Sequence, residues 1–256
     1  MTSLQESVVK AMDGTNASLF PYLPYILQDL WEIGTDPATV AELVEQHIGK
    51  QKNFKVLDLG CGKGAVSVYL ARHFPCHCLG VDALEEFIKF ARLKAAEYQV
   101  ADRCSFVTGD MRNMIPLFHG FDLIVLGAIG PVLGNYTQTL SQLVPCLSEQ
   151  GMFVVDDGYI PDHTDFSHAT AIKYSDMLHQ IDQAGMQIIT QIPFDSLKVK
   201  ESDDFIMNHL TQRCRELMEL YPHQWKLFED YIADQERESQ INAEKLVCTT
   251  MLIGRK

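Results

Sequence analysis

The chain runs to 256 residues, 46% of them hydrophobic, with a formal net charge of −13 at pH 7. That apolar share excludes a chain left unfolded for want of a core, and the length accommodates one domain, 1–256, with embellishments. The acidic balance argues against nucleic-acid and anionic membrane partners, which need clustered Lys and Arg, and no apolar run is long enough to span a bilayer.

The start, Met1-Thr2-Ser3-Leu4-Gln5-Glu6, is polar and lacks the apolar stretch of a signal peptide. The seven cysteines form no C-x-x-C pair; Cys76 and Cys78 are the closest, one before and one inside an expected strand. Reduced core thiols in a cytoplasmic protein are expected, with no metal site.

Residues 1–50 read as helical. Gln5 to Met12 predicts a short first helix, broken at Asp13-Gly14-Thr15-Asn16. A stripe of Leu19, Leu23, Ile26, Leu27 and Leu30 follows at helical spacing, and Pro21 and Pro24 put the true helix at 24–31. Asp36 caps, and Pro37 opens, a third helix that ends before Gly49.

From 53 to 158 strand and helix patterns alternate. Strands are expected at 54–59, 77–82, 104–109, 121–127 and 151–156, and helices at 64–73, 84–97 and 133–147. That order predicts a parallel sheet with helices on both faces and ligands outside the carboxyl ends of the strands. The first strand runs into Asp58-Leu59-Gly60-Cys61-Gly62-Lys63-Gly64, a turn whose glycines can take positive φ and admit a ligand close to the backbone. A P-loop is excluded, because position 57 is Leu57 and neither Ser nor Thr follows Lys63. The pattern acid-x-G-x-G-x-G resembles motif I of the class I S-adenosylmethionine-dependent methyltransferases. Asp82 ends the second strand 22 residues after Gly60, near the spacing of an acid that takes ribose hydroxyls; capping of the next helix is its alternative role. Gly109-Asp110 ends the third strand and Gly127 the fourth.

The resemblance implies a Rossmann-like, doubly wound, seven-stranded, mostly parallel sheet with the last strand antiparallel. It implies S-adenosylmethionine as cofactor and transfer of its methyl group to a small-molecule acceptor by in-line displacement, an activity of class EC 2.1.1.-. The turn, Gly60, Cys61, Gly62 and Gly64, would wrap the amino-acid end, and Asp58 would help hold its ammonium group. Asp82 and Ala83 would lie at the ribose, Asp110 and Met111 at the adenine, and Gly127 beside the methyl group. Lys63 is expected to face solvent. A dinucleotide-linked (NAD) oxidoreductase uses a similar unit, and a cofactor-binding protein without transfer activity would keep the same residues.

Beyond the core, 164–185 predicts a helix capped by Thr164 or Asp165, and 186–192 and 246–253 the last two strands. Between them, 200–243 is a helical insertion. It opens at Glu201-Ser202-Asp203-Asp204, carries an Ile206, Leu210, Cys214 and Leu217 stripe, and restarts at Pro222. With 1–50 as the N-terminal cover and 53–199 and 244–256 as the core, this insertion is expected over the site. On the acceptor side no Asn- or Asp-Pro-Pro-Tyr signature follows the fourth strand, and neither do the carboxylates of metal-dependent catechol-type enzymes. Tyr159 and His163 are the catalytic candidates, with His168 a further possible base. Tyr22, Tyr25 and Trp31 could roof a sulfonium by cation–π contact.

Overall fold

A computed structural model describes residues 2–49 and 53–256, the side chains of 196–199 excepted. Met1 and the seam expected near residue 50 lie outside the described residues. The strands are β1 (Phe54–Leu59), β2 (Cys76–Asp82), β3 (Cys104–Thr108), β4 (Phe121–Gly127), β5 (Leu147–Tyr159), β6 (Met186–Pro193) and β7 (Val247–Arg255). They form one seven-stranded sheet in the order β3-β2-β1-β4-β5-β7-β6. All pairings from β3 to β5 are parallel, and β7 runs antiparallel to both β5 and β6. This is the topology expected from the sequence.

The central strands are apolar because helices cover both faces. Helices α3 (Pro37–His47), α4 (Ala65–His73) and α5 (Glu85–Glu97) pack one face through Val40, Leu43, Val68, Ile88 and Ala91. On the other face lie α6 (Met111–Met114), α7 (Tyr136–Leu143) and α8 (Tyr174–Gln183), with Leu140, Leu143, Met177 and Ile181 in the core. A third apolar cluster lies outside the sheet. It joins α1 (Leu4–Ala11), a 3-10 turn (Ala17–Tyr22) and α2 (Leu23–Ile26) to α9 (Ser196–Leu220) and α10 (Trp225–Glu244) around Leu23, Leu210, Phe228 and Tyr231. Leu84 and Phe87 of the core join this cluster, so the cover is seated on the start of α5.

Several expected boundaries move, each for a local reason. The helix expected at 164–185 begins only at Tyr174. Ile160 exchanges backbone hydrogen bonds with Ile172 and Tyr174, and the Lys173 ammonium occupies the carbonyls of Pro161 and Thr164. The segment expected as helix 24–31 is helical only to Ile26, because a buried lysine takes the carbonyls of Leu27, Gln28 and Leu30. Pro145 converts the end of the 133–147 helix into a 3-10 turn, while Asn135 and Gln138 form a capping box at its start. Strand β5 extends to Tyr159 because Asp157, Gly158 and Tyr159 pair with β7. Helix α9 starts at Ser196, ahead of the acids at 201–204. No helix among the described residues is long and apolar enough to cross a membrane.

Candidate active site

The chain lays β2 and β3 on one side of β1, then returns to place β4 on the other. A crevice therefore opens between the carboxyl ends of β1 and β4. Gly60 closes β1 and Gly127 closes β4 at this point, and both line a cavity of about 250 Å³ roofed by the helical cover. A groove of about 1160 Å³ is larger, but it is lined by α9, α10 and the ends of β6 and β7 where they meet, and it contains none of the carboxyl ends of β1 to β4.

The three glycines of the turn serve three purposes. All have positive φ, at 74°, 52° and 77° for Gly60, Gly62 and Gly64. A Cβ on Gly60 would stand 2.5 Å from Ile129 Cγ2 inside the cavity. A Cβ on Gly62 would meet nothing within 4 Å, and Gly62 lines the cavity, so its bare backbone faces open space. A Cβ on Gly64 would stand 2.8 Å from Ala91 Cβ and 2.9 Å from Phe106 Cζ; this glycine lets α4 close on α5 and β3 and is absent from the cavity wall.

Asp82 sits in the wall with its carboxylate nearly buried. Oδ2 accepts the Gly62 N–H at 2.9 Å and Oδ1 the Leu84 N–H at 2.9 Å. One carboxylate thus ties the glycine turn and the Leu84 backbone to the end of β2; the N-cap of α5 is Leu84 itself and carries no side-chain cap, which corrects the capping alternative. Burial raises the Asp82 pKa against the pull of these amides. Asp110 caps α6 through the Arg112 N–H and receives the Arg112 guanidinium at 2.7 Å. That partner holds its carboxyl below the usual range. Ala83, Gly109, Met111 and Gly127 complete this side of the wall.

Asp58 and Cys61 do not line the cavity. Asp58 is one layer behind the turn, where Ser67 Oγ donates to it at 2.7 Å and burial pushes its carboxyl up to about 6. The buried Cys61 thiol fills the space beside Gly80, whose Cβ would come within 2.8 Å of the sulfur. Lys63 corrects the sequence reading most sharply. It is 4% exposed, not solvent-facing, and its ammonium donates to the carbonyls of Leu27, Gln28 and Leu30.

The structure does not bring the acceptor-side candidates to the cavity. Tyr159 packs on the Tyr174 ring at 4.5 Å, outside the cavity lining, and His163 lies exposed in the loop before α8. His168 is set behind the wall, 3.5 Å from Glu238. None of the three aromatics expected as a roof lines it. Trp31 stacks on Tyr98, Tyr22 packs edge-on to Tyr221 and Phe228, and the Tyr25 hydroxyl donates to Glu216.

Residues with no individual site role in the sequence reading form the opposite wall. From α1 and the turn after it come Val8, Met12 and Asp13; from α9, Asp203, Ile206 and Leu210; from α10, Gln235, Glu238 and Asn242. Asp203 accepts from Ser239 at 2.9 Å. Asp13 has left-handed backbone at φ 54°, and desolvation, followed by the nearby Glu238, pushes its carboxyl up to about 6. It keeps accessible surface all the same, which is the signature of a group surrounded by protein and facing a cavity. No Lys or Arg lines this cavity among the described residues. Behind its floor, Thr35 and Thr250 approach the buried Asp156 without reaching hydrogen-bond geometry, and burial pushes Asp156 up to about 6.

Comparison with known proteins places this geometry. A family model described as a methyltransferase domain matches residues 50–229. A sterol 24-C-methyltransferase of Debaryomyces hansenii is 31% identical over 118 residues, covering 44% of this chain and 30% of that protein. A malonyl-[acyl-carrier protein] O-methyltransferase of Bacillus cereus is 26% identical over 117 residues, covering 45% of this chain and 42% of its own length. The matched stretch therefore spans less than half of these curated relatives. Among solved structures, a SAM-dependent methyltransferase from Geobacter sulfurreducens, crystallised with S-adenosyl-L-homocysteine, superposes with a TM-score of 0.75 at 19% identity, covering 92% of this chain and 98% of that one.

Proposed function

We propose that this chain, which belongs to the methyltransferase-domain family over residues 50–229, transfers a methyl group from S-adenosylmethionine to a small-molecule acceptor held in the cavity. One observation carries the reading: the glycine turn, the buried Asp82 and a separate acidic and apolar wall share a single roofed cavity at the switch point of the sheet.

The residues present suit the cofactor. A side chain on Gly60 would fill the cradle, Gly62 offers backbone to open space, and Asp82 supplies a carboxylate suited to a pair of hydroxyls. We assign cofactor contact to Gly60, Gly62, Asp82, Ala83, Asp110, Met111 and Gly127. Asp58, Cys61 and Gly64 support the turn from behind. The bound cofactor supplies a sulfonium methyl group for in-line displacement. The chain's own task is then to orient the acceptor and keep water out, so a protein base is optional.

The names of the relatives point to acceptors of different chemistry, a sterol and a malonyl-[acyl-carrier protein]. The wall discriminates among acceptor classes on physical grounds. Asp13, Asp203 and Glu238 face the cavity with no cationic side chain beside them among its described lining, while Val8, Met12, Ile206 and Leu210 are apolar. An anionic acceptor would be repelled by these carboxylates, whereas an apolar molecule bearing an amine would be favoured. The charge that leaves sulfur during transfer would then settle near carboxylates. Seven free cysteines, six of them buried, fit a reducing, cytoplasmic setting.

Calorimetry with S-adenosylhomocysteine and NAD tests the cofactor. Binding of the first and not the second is expected; the reverse would refute the assignment. Mass spectrometry of products formed from amines and from carboxylates of similar apolar size tests the acceptor, with amine products expected to dominate.

A further inference from the structure

Lys63 lies inside the glycine turn, yet its side chain is spent on the cover. The ammonium donates to the carbonyls of Leu27 at 2.6 Å, Gln28 at 3.1 Å and Leu30 at 2.6 Å. These carbonyls lie just past the end of α2 at Ile26, where a helix end attracts a cation, and the Leu27 carbonyl also accepts the Leu30 N–H at 3.1 Å. The rings of Phe90 and Phe87 face the ammonium at 4.9 and 5.5 Å. The bond runs in the other direction too: the Trp31 indole N–H donates to the Lys63 carbonyl at 3.1 Å. Four hydrogen bonds thus fasten 27–31 to one residue of the turn.

The fastened segment continues outward. Asp29 accepts two hydrogen bonds from the Arg213 guanidinium on α9, one of them from Nη2 at 3.0 Å. Arg213 also donates to Glu216 at 2.7 Å, and Glu216 accepts the Tyr25 hydroxyl at 2.7 Å. One helical turn before Arg213, Leu210 lines the cavity, with Ile206 a further turn away. A continuous run of polar contacts therefore leads from the glycine turn through Lys63, residues 27–31 and Arg213 to the helix that carries the acceptor wall. Burying an ammonium costs several kcal/mol unless its donors are matched, and here all three are. A residue needed only to fill space would not require a charge in this position.

We propose that Lys63 is a positioning residue that registers the acceptor wall on the glycine turn, so that occupation of the turn and ordering of the cover are one coupled event. The proposal rests on the reading of the cavity as a shared cofactor and acceptor site. Coupling of this kind is a free energy between two places joined by an element that responds to both.

Hydrogen exchange on the full chain, with and without S-adenosylhomocysteine, tests it. In the wild type the ligand should slow exchange in the turn 60–64, in 27–31 and in 203–217. Lys63→Met keeps the apolar stem over Phe87 and Phe90 but removes the three donors. Without ligand, exchange in 27–31 should rise at least tenfold. With ligand, protection should persist in the turn and fall to within twofold of none in 203–217, while affinity for S-adenosylhomocysteine changes less than about threefold. Arg213→Met cuts the run further out and is expected to lose protection in 203–217 alone, with 27–31 still responding; it serves as the test if Lys63→Met does not fold. Undiminished ligand protection of 203–217 in either folded variant would overturn the proposal. A wild type that binds no S-adenosylhomocysteine would instead overturn the cofactor reading, while the ligand-free exchange of 27–31 would still report on the Lys63 fastening.

Discussion

Gly62→Ala and Gly64→Ala form a matched pair whose effects should separate. Both sites have positive φ, 52° and 77°, so each alanine pays a left-handed backbone cost of about 1–2 kcal/mol. At Gly62 there is nothing further to pay in the free protein, since the new methyl group meets no atom within 4 Å. At Gly64 the methyl group would press on Ala91 at 2.8 Å and Phe106 at 2.9 Å, separations that real Cβ atoms do not show. Overpacking of this kind adds about 1–3 kcal/mol. Urea unfolding should therefore find Gly64→Ala the less stable by about that margin. For S-adenosylhomocysteine binding the order should reverse. The Gly62 methyl group projects into the cavity space assigned to the cofactor and should weaken affinity at least tenfold, about 1.4 kcal/mol. Gly64→Ala should bind within a few-fold of wild type wherever it is folded. The assay is calorimetry at a temperature where both variants are native. A folded Gly62→Ala with unchanged affinity would refute the placement of the cofactor on this turn.

Three further outcomes are expected. Asp82→Ala should weaken S-adenosylhomocysteine binding by about 1–3 kcal/mol and also lower stability, because the Gly62 and Leu84 N–H groups lose their acceptor; unchanged affinity would leave it only the hold on those two backbone groups. Asp156 is an acid whose folded pKa is raised, so its contribution to stability is complete below the unfolded value and disappears as pH rises through the folded one. A rise from 3.8 to about 6 corresponds to about 3 kcal/mol. Asp156→Asn should accordingly match wild type near pH 3.5 and exceed it at pH 7, and equal urea midpoint differences at the two pH values would contradict this. Lys63→Met should release 27–31 and silence the ligand response of 203–217, as set out above.

The architecture was legible because short-range chemistry dictates it. Alternating apolar strands and helical stripes require a parallel sheet covered on both faces, and the strand–glycine–helix unit at 54–73 marks where a ligand meets it. The residues that close the strands, Gly60, Asp82, Asp110 and Gly127, are set by local order along the chain, and the fold gathers all four into one cavity. What the sequence left open depends on contacts between distant segments. Tyr159 and His163 belong to the acceptor end by sequence position, yet pairing of β5 with β7 and packing on Tyr174 hold Tyr159 away from the cavity, and His163 stays exposed in the loop before α8. Asp203 reads as a helix-start acid and Asp13 as a loop residue; only the docking of α1, α9 and α10 over the sheet turns them into a wall. Lys63 shows the difference most plainly. A lysine in a polar turn is normally solvated, and the carbonyls that hold this one are not its neighbours in sequence. Those carbonyls come from residues 27, 28 and 30, more than thirty positions away, where a helix ends early. Sequence specifies each partner, but whether a charge is solvated or buried is settled by which distant groups the tertiary structure brings to it.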